Sequence, residues 1–160
     1  MTDANKKELA KQVYSGLCKA IEEREWSFMK HDEDLTVTFI VNGDDIPISF
    51  IIVVDEDRQM IRVYSPLPFN IPEDKRMELA IATCAVTDKL ADGSFDYNIE
   101  NGVIVFRMTA SFLGSNIGDV LFQYMIDCTC VTVDRYNDQF LALGKGLISI
   151  SDFLNQVYSD

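Results

Sequence analysis

Two periods alternate along this chain. Over residues 6–24 apolar side chains recur at helical spacing, at Leu9, Val13, Leu17 and Ile21 with Ala10, Tyr14 and Cys18 beside them, while Lys7, Lys11, Lys19, Glu22 and Glu23 fall elsewhere on the wheel. That pattern predicts an amphipathic helix with one face on a core. Trp26 and Phe28 follow, and the acidic run Asp32-Glu33-Asp34 leads into a strand. There the period drops to two: Leu35, Val37, Phe39 and Val41 alternate with Thr36 and Thr38. Asn42-Gly43-Asp44-Asp45 reads as a turn, because Asn and Gly tolerate the positive φ of a tight hairpin. A second strand over residues 46–54 points Ile48, Phe50 and Ile52 inward, Asp55-Glu56-Asp57 turns the chain again, and a third over residues 60–65 places Ile61 and Val63 on one face. Three strands joined by short turns make an antiparallel meander.

Pro66-Leu67-Pro68-Phe69-Asn70-Ile71-Pro72-Glu73 is extended by its prolines and ends in a helix start, with Asn70 as the expected cap, Pro72 in the first turn and Glu73 three residues after the cap. The helix should run to about Leu90. Residues 79–87, Leu-Ala-Ile-Ala-Thr-Cys-Ala-Val-Thr, hold no charge at all. A helix that is apolar nearly all round is usually covered on both sides, either by the late helix of the same chain or by a second subunit. Asp92-Gly93 opens a second hairpin in which Phe95, Tyr97 and Ile99 alternate with Asp96 and Asn98; Asn101-Gly102 is its turn, and residues 103–108 return. A long helix is expected from Ser115 or Asn116, carrying Ile117, Val120, Leu121, Tyr124, Met125 and Cys128 and continuing through Tyr136 to Leu143. Gly144-Lys145-Gly146 breaks it, and Ser149-x-x-Asp152 predicts a capping box for a short terminal helix holding Phe153, Leu154 and Val157. The expected fold is α+β: one antiparallel sheet of about five strands with helices packed on it, in the order α-βββ-α-ββ-α(α), as a single domain over residues 1–160.

Composition narrows the partners. With 14 Lys+Arg against 26 Asp+Glu the formal charge is −12, and the sequence pI is about 4.4. A chain so acidic repels a phosphate backbone, and its basic residues are scattered, so neither nucleic acid nor an anionic membrane surface is expected as a partner. The acids sit mostly in turns and at a helix start, where they favour solubility and the helix dipole. At 48% hydrophobic and 11% aromatic the chain has ample material for a core. Its start is a mixed-charge amphipathic segment rather than an apolar signal sequence, its longest apolar stretch is far short of the roughly 20 residues that span a bilayer, and its four cysteines fall in apolar stretches. These features predict a cytoplasmic protein with reduced core thiols.

Chemistry is sparse. His31 is the sole histidine and lies in a charged exit, so no catalytic residue is assigned. Cys128-x-Cys130 places two thiols on different faces of a helix without a second pair, so no metal is expected. The alternation of Asp92, Ser94, Asp96, Asn98 and Glu100 fails the calcium-loop pattern, with Tyr97 and Val103 where Gly and Glu would stand. No phosphate-binding glycine motif occurs, and no cofactor is expected.

Several short motifs together are similar to the YbjN family: Trp26-Ser27-Phe28; the meander end Arg62-Val63-Tyr64-Ser65-Pro66-Leu67-Pro68; Ile71-Pro72-Glu73-Asp74-Lys75-Arg76; Gly93-Ser94-Phe95-Asp96; and Asp134-Arg135-Tyr136. The resemblance spans nearly the whole chain. It implies the fold of type III secretion chaperones and a bacterial regulator of sensory transduction, and chaperones of that fold bind partner polypeptides as homodimers without catalysis. Two functions follow as expectations. The first is a non-enzymatic cytosolic interaction protein, a homodimer meeting through Leu79, Ala82, Thr83 and Val86, with Trp26, Arg62, Tyr64 and Phe69 as the surface for an unidentified protein partner. The alternative is a small-molecule sensor or enzyme with a pocket lined by those last four residues.

Overall fold

The computed structural model describes residues 2–159. Its helices are α1 (Asp3–Glu22), α2 (Arg76–Lys89), α3 (Asp119–Gly144) and α4 (Ile150–Ser159); its strands are β1 (Met29–His31), β2 (Thr36–Asn42), β3 (Pro47–Asp55), β4 (Met60–Asn70), β5 (Ser94–Asn98) and β6 (Val103–Ser111). The strands form one open antiparallel sheet in the order β1-β2-β3-β4-β6-β5. The α+β order is the one the periodicity predicts, with a sixth strand added at the edge.

Alternation along each strand sorts the side chains onto two faces. Phe39 pairs with Phe50, Ile52 with Val63 and Val63 with Met108, so Val37, Phe39, Phe50, Ile52, Ile61, Val63, Phe106 and Met108 make one buried surface. The Phe39 and Phe50 rings stack there with centroids 4.5 Å apart. Helix α1 packs on β3, α3 crosses β4 and β6, α2 lies beside β5, and α4 closes over α2 and α3. All contribute to one hydrophobic core, which includes Leu17, Ile21, Leu79, Val86, Ile126, Phe140 and Phe153. The opposite row, with Thr38, Ile51, Arg62, Tyr64 and Arg107, is only half-buried or exposed.

Four local expectations are corrected. Residues 29–31 pair with β2, although all three are exposed and show no alternation to read. Strand β4 does not stop at Ser65: it continues to Asn70 through Pro66 and Pro68, and its pairing with β6 shifts register between Pro66 and Asn70, where the prolines offer no amide donor. Asn70 therefore pairs with Val103 instead of capping a helix, and α2 begins at Arg76 after a short 3₁₀ turn over Glu73–Lys75. Helix α3 begins only after Gly118; the Asn116 side chain accepts the adjacent Ile117 amide at 3.0 Å, a local turn rather than a cap. The terminal capping box forms as expected, with Asp152 N–H donating to Ser149 Oγ at 3.1 Å and Ser149 N–H returning to Asp152 Oδ2 at 3.3 Å.

One glycine fixes the junction between sheet and α2. Gly102 has φ +73°, and a Cβ there would meet the Ile71 carbonyl oxygen at 2.3 Å. The bare backbone lets Ile71 N–H donate to Gly102 O at 2.9 Å, which anchors the entry to the helix.

Candidate interaction surfaces

The charge-free stretch of α2 presents two faces. Leu79, Ala82, Thr83 and Val86, expected at a subunit contact, point into the chain's own core at 0–3% exposure. Thr83 is tolerated there because its hydroxyl donates to the Leu79 and Ala80 carbonyls at 2.9 and 3.1 Å, so no polar group is stranded. A second copy can reach α2 only from the other side, at Met77, Ile81 and Cys84, with Ile81 half exposed at 50%. Cys84 is thus a surface thiol, unlike the core thiol the sequence predicts, whereas Cys18 is buried and burial pushes the half-buried Cys130 up to about 11.

Helix α4 extends this exposed face. Its capping box orients a short amphipathic helix whose Phe153 and Val157 enter the core, leaving Leu154 and Tyr158 beside α2. Ala80, Ile81, Cys84, Leu154 and Tyr158 line an open groove of about 660 Å³. Asp88 sits in the same groove, and the Lys89 ammonium lies 4.8 Å from the Tyr158 ring centroid.

The four aromatic and arginine residues expected to share a surface do not gather. Arg62 and Tyr64 project from the uncovered face of β4, where Arg62 donates to the Tyr64 hydroxyl at 3.4 Å and Tyr64 stands opposite Arg107 of β6. Trp26 packs against Phe39 of the covered face with centroids 5.8 Å apart, under the Arg24 guanidinium. Phe69 lines a separate cavity at the far end of β4. Odd and even positions of one strand cannot meet, so the single pocket imagined around these four residues does not form.

Ion pairs organise the uncovered sheet face. Asp55 accepts from Arg62 and, at 2.9 Å, from the Arg58 amide. Burial alone would raise its carboxyl, but the Arg58 amide and the Arg58 and Arg62 guanidinium groups outweigh burial and hold it below the usual carboxylate range. Across the sheet Arg107 Nη2 donates to Asp96 Oδ1 at 3.1 Å and to Ser94 Oγ at 3.3 Å, and the bond to Asp96 keeps the guanidinium firmly protonated. Ser94, Asp96 and Asn98, the alternating polar residues of β5, are therefore a strand face, and Ser94 and Asp96 hold an arginine there. Tyr64 lies between these pairs, and Ile51 and Val53 lie beside them on β3, with Met29 and Ile40 toward the β1 edge. The surface is mixed, part apolar and part fixed charge.

His31 is exposed, with Nε2 3.2 Å from the Thr38 hydroxyl. Among the described residues no cluster of three or more His, Cys, Asp or Glu side chains is placed to hold a metal ion, and no helix is long and apolar enough to cross a membrane.

Residues 15–142, from within α1 to the last turns of α3, match the model of the YbjN family, described as "Putative bacterial sensory transduction regulator". The chain belongs to the YbjN family. In fold it is similar to the crystal structure of YbjN from E. coli, there called a "putative transcription regulator", with a TM-score of 0.57 and 12% sequence identity over 77% of this chain and 90% of that one. No curated protein matches it. The family match includes the whole sheet and α2, but it ends before α4, so the outer wall of the α2 groove lies beyond the region the family model describes.

Proposed function

We propose that this member of a regulator family is a non-enzymatic cytoplasmic interaction protein that works as a homodimer and binds a partner polypeptide. The observation that carries the reading is the apolar face shared by α2 and α4: Ile81 and Tyr158, 50% and 51% exposed, flank Cys84 and Leu154 although both helices already bury their other sides. Large apolar side chains grouped on one surface mark an interaction site more often than scattered ones do. A second copy suits this face through charge as well. Asp88 in the groove and Lys89 beside it supply an acid and a base that a two-fold contact centred near them can pair across the interface. The partner polypeptide is assigned to the uncovered sheet face around Arg62 and Tyr64, where fixed guanidinium groups beside Ile51 and Val53 suit a segment that is apolar and acidic.

Light scattering tests the dimer. The wild type is expected at twice its 18.1 kDa chain mass, and Ile81→Glu at the chain mass with its far-ultraviolet circular dichroism spectrum unchanged. A wild type already at the chain mass across micromolar concentrations overturns the dimer.

A further inference from the structure

The cavity beside Phe69 has a different character from the α2–α4 groove and lies at the other end of α2. It measures about 480 Å³, within the range of small-molecule sites, and opens where β4, the start of α2 and the end of α3 converge. Its apolar wall is Phe69, Ile71 and Leu141. Phe69 has the inward parity of Ile61, Val63 and Leu67, but α3 ends at Gly144, so its ring stays half-buried at a mouth instead of entering the core. The site is preformed. Ile71 is held from one side by its bond to Gly102, and on the other its Cδ1 packs closely against Gly144, where an added Cβ would stand 2.9 Å from that methyl and push it aside.

Charge identifies the ligand class. Three charged residues line the cavity: Lys75, Lys145 and Asp74. The Lys75 ammonium is taken up by Glu78, donating to its two oxygens at 2.9 and 3.2 Å. Among the described residues neither Lys145 nor Asp74 has an oppositely charged group within 4 Å. The cavity therefore offers one unpaired cation and one unpaired carboxylate next to an apolar wall. We infer that this cavity binds a small apolar zwitterion, an α-amino acid with an aromatic or branched aliphatic side chain, its carboxylate towards Lys145, its ammonium towards Asp74 and its side chain against Phe69 and Leu141. Such a site supplies a regulator with a metabolite input, and it does not depend on the homodimer.

Titration calorimetry of the full chain with L-phenylalanine and L-leucine tests it, with phenethylamine, which lacks the carboxylate, and 3-phenylpropionate, which lacks the ammonium, as comparators. At least one amino acid is expected to bind at millimolar concentration or below, with both comparators about three- to tenfold weaker. Lys145→Gln and Asp74→Asn, at exposed positions where folding is not at stake, should each weaken the amino acid by a similar factor, and Leu141→Trp should abolish binding by filling the cavity. Absence of heat with both amino acids at millimolar concentration overturns the inference, as do comparators that bind equally well, or Lys145→Gln and Asp74→Asn variants that bind like the wild type.

Discussion

Helix α2 carries two apolar faces with opposite fates. One, with Leu79, Ala82 and Val86, is sealed at 0% exposure under α3, α4 and β5; the other, with Met77 and Ile81, stands 50–67% exposed. The sheet repeats the division, since Ile52 and Val63 are sealed while Ile51 and Tyr64, one position away on the same strands, are not. Composition does not separate the two sides of α2. What separates them is which face the chain's own elements reach. On the sheet the open side carries ion pairs among its apolar groups, whereas on α2 the charges Asp88 and Lys89 stand beside an apolar groove, the surface proposed above for a second copy.

The sharpest way to break this comparison is to truncate each face in turn. Leu79→Ala leaves a cavity in a packed core and should cost about 3 kcal/mol, within a range of about 2 to 5. Ile81→Ala removes a comparable side chain from a surface and should change the stability of a single chain by less than about 0.5 kcal/mol. Urea denaturation at low protein concentration, where association does not contribute, measures both. Equal losses would mean that the two faces of α2 are not distinct.

The same contrast shows what could be read in the sequence. The α and β segments were legible because Leu9-Val13-Leu17 and Val37-Phe39-Val41 commit to different periods over several repeats. Residues 29–31 were not, because three exposed residues hold no alternation, and the reach of β4 was not, because Pro66 and Pro68 ordinarily end a strand and here sit where pairing slips. For α2 the uncharged stretch identified the right helix but gave no phase: with apolar or small residues at every position of 79–87, nothing marks which face turns inward. Arg62 and Tyr64 could have been assigned to the uncovered side by strand parity alone, since Ile61 and Val63 already claimed the covered one. The cavity at Phe69 was invisible because its wall comes from residues about 70 positions apart, and only the tertiary fold joins them.

A smaller effect tests the uncovered sheet face. Asp55→Asn removes the acceptor that orders Arg58 and Arg62, and with surface screening allowed for it should cost about 1 kcal/mol at neutral pH. The sign of its pH dependence is fixed by the direction of the shift. A carboxyl held below its unfolded value contributes fully above the ordinary carboxylate pKa of about 3.9, and the contribution is lost as pH falls through the lowered folded value. Denaturation across this acid range should therefore show wild type and Asp55→Asn converging as pH drops. A gap that stays constant or widens would show that Asp55 acts through packing and not through its charge.

The smallest expected effect lies on α4, the wall that completes the exposed face of α2. Ser149→Ala deletes both the hydroxyl that caps the Asp152 amide and the donor, 2.6 Å away, that with the Ser149 amide holds the Asp152 carboxyl below its usual range. The helix should survive, because Phe153 and Val157 anchor it in the core, so the thermal midpoint should fall by less than in Asp55→Asn. The change belongs in the first turn. Amide hydrogen exchange should quicken over residues 150–153 and stay unaltered in α2, and because Asp152 titrates low, this protection should be present above the ordinary carboxylate pKa and fade as pH falls through the lowered one. Exchange that quickens in α2 as well would mean that the two helices open as one unit, and the groove between them would then be a mobile seam and not the fixed surface a second copy needs.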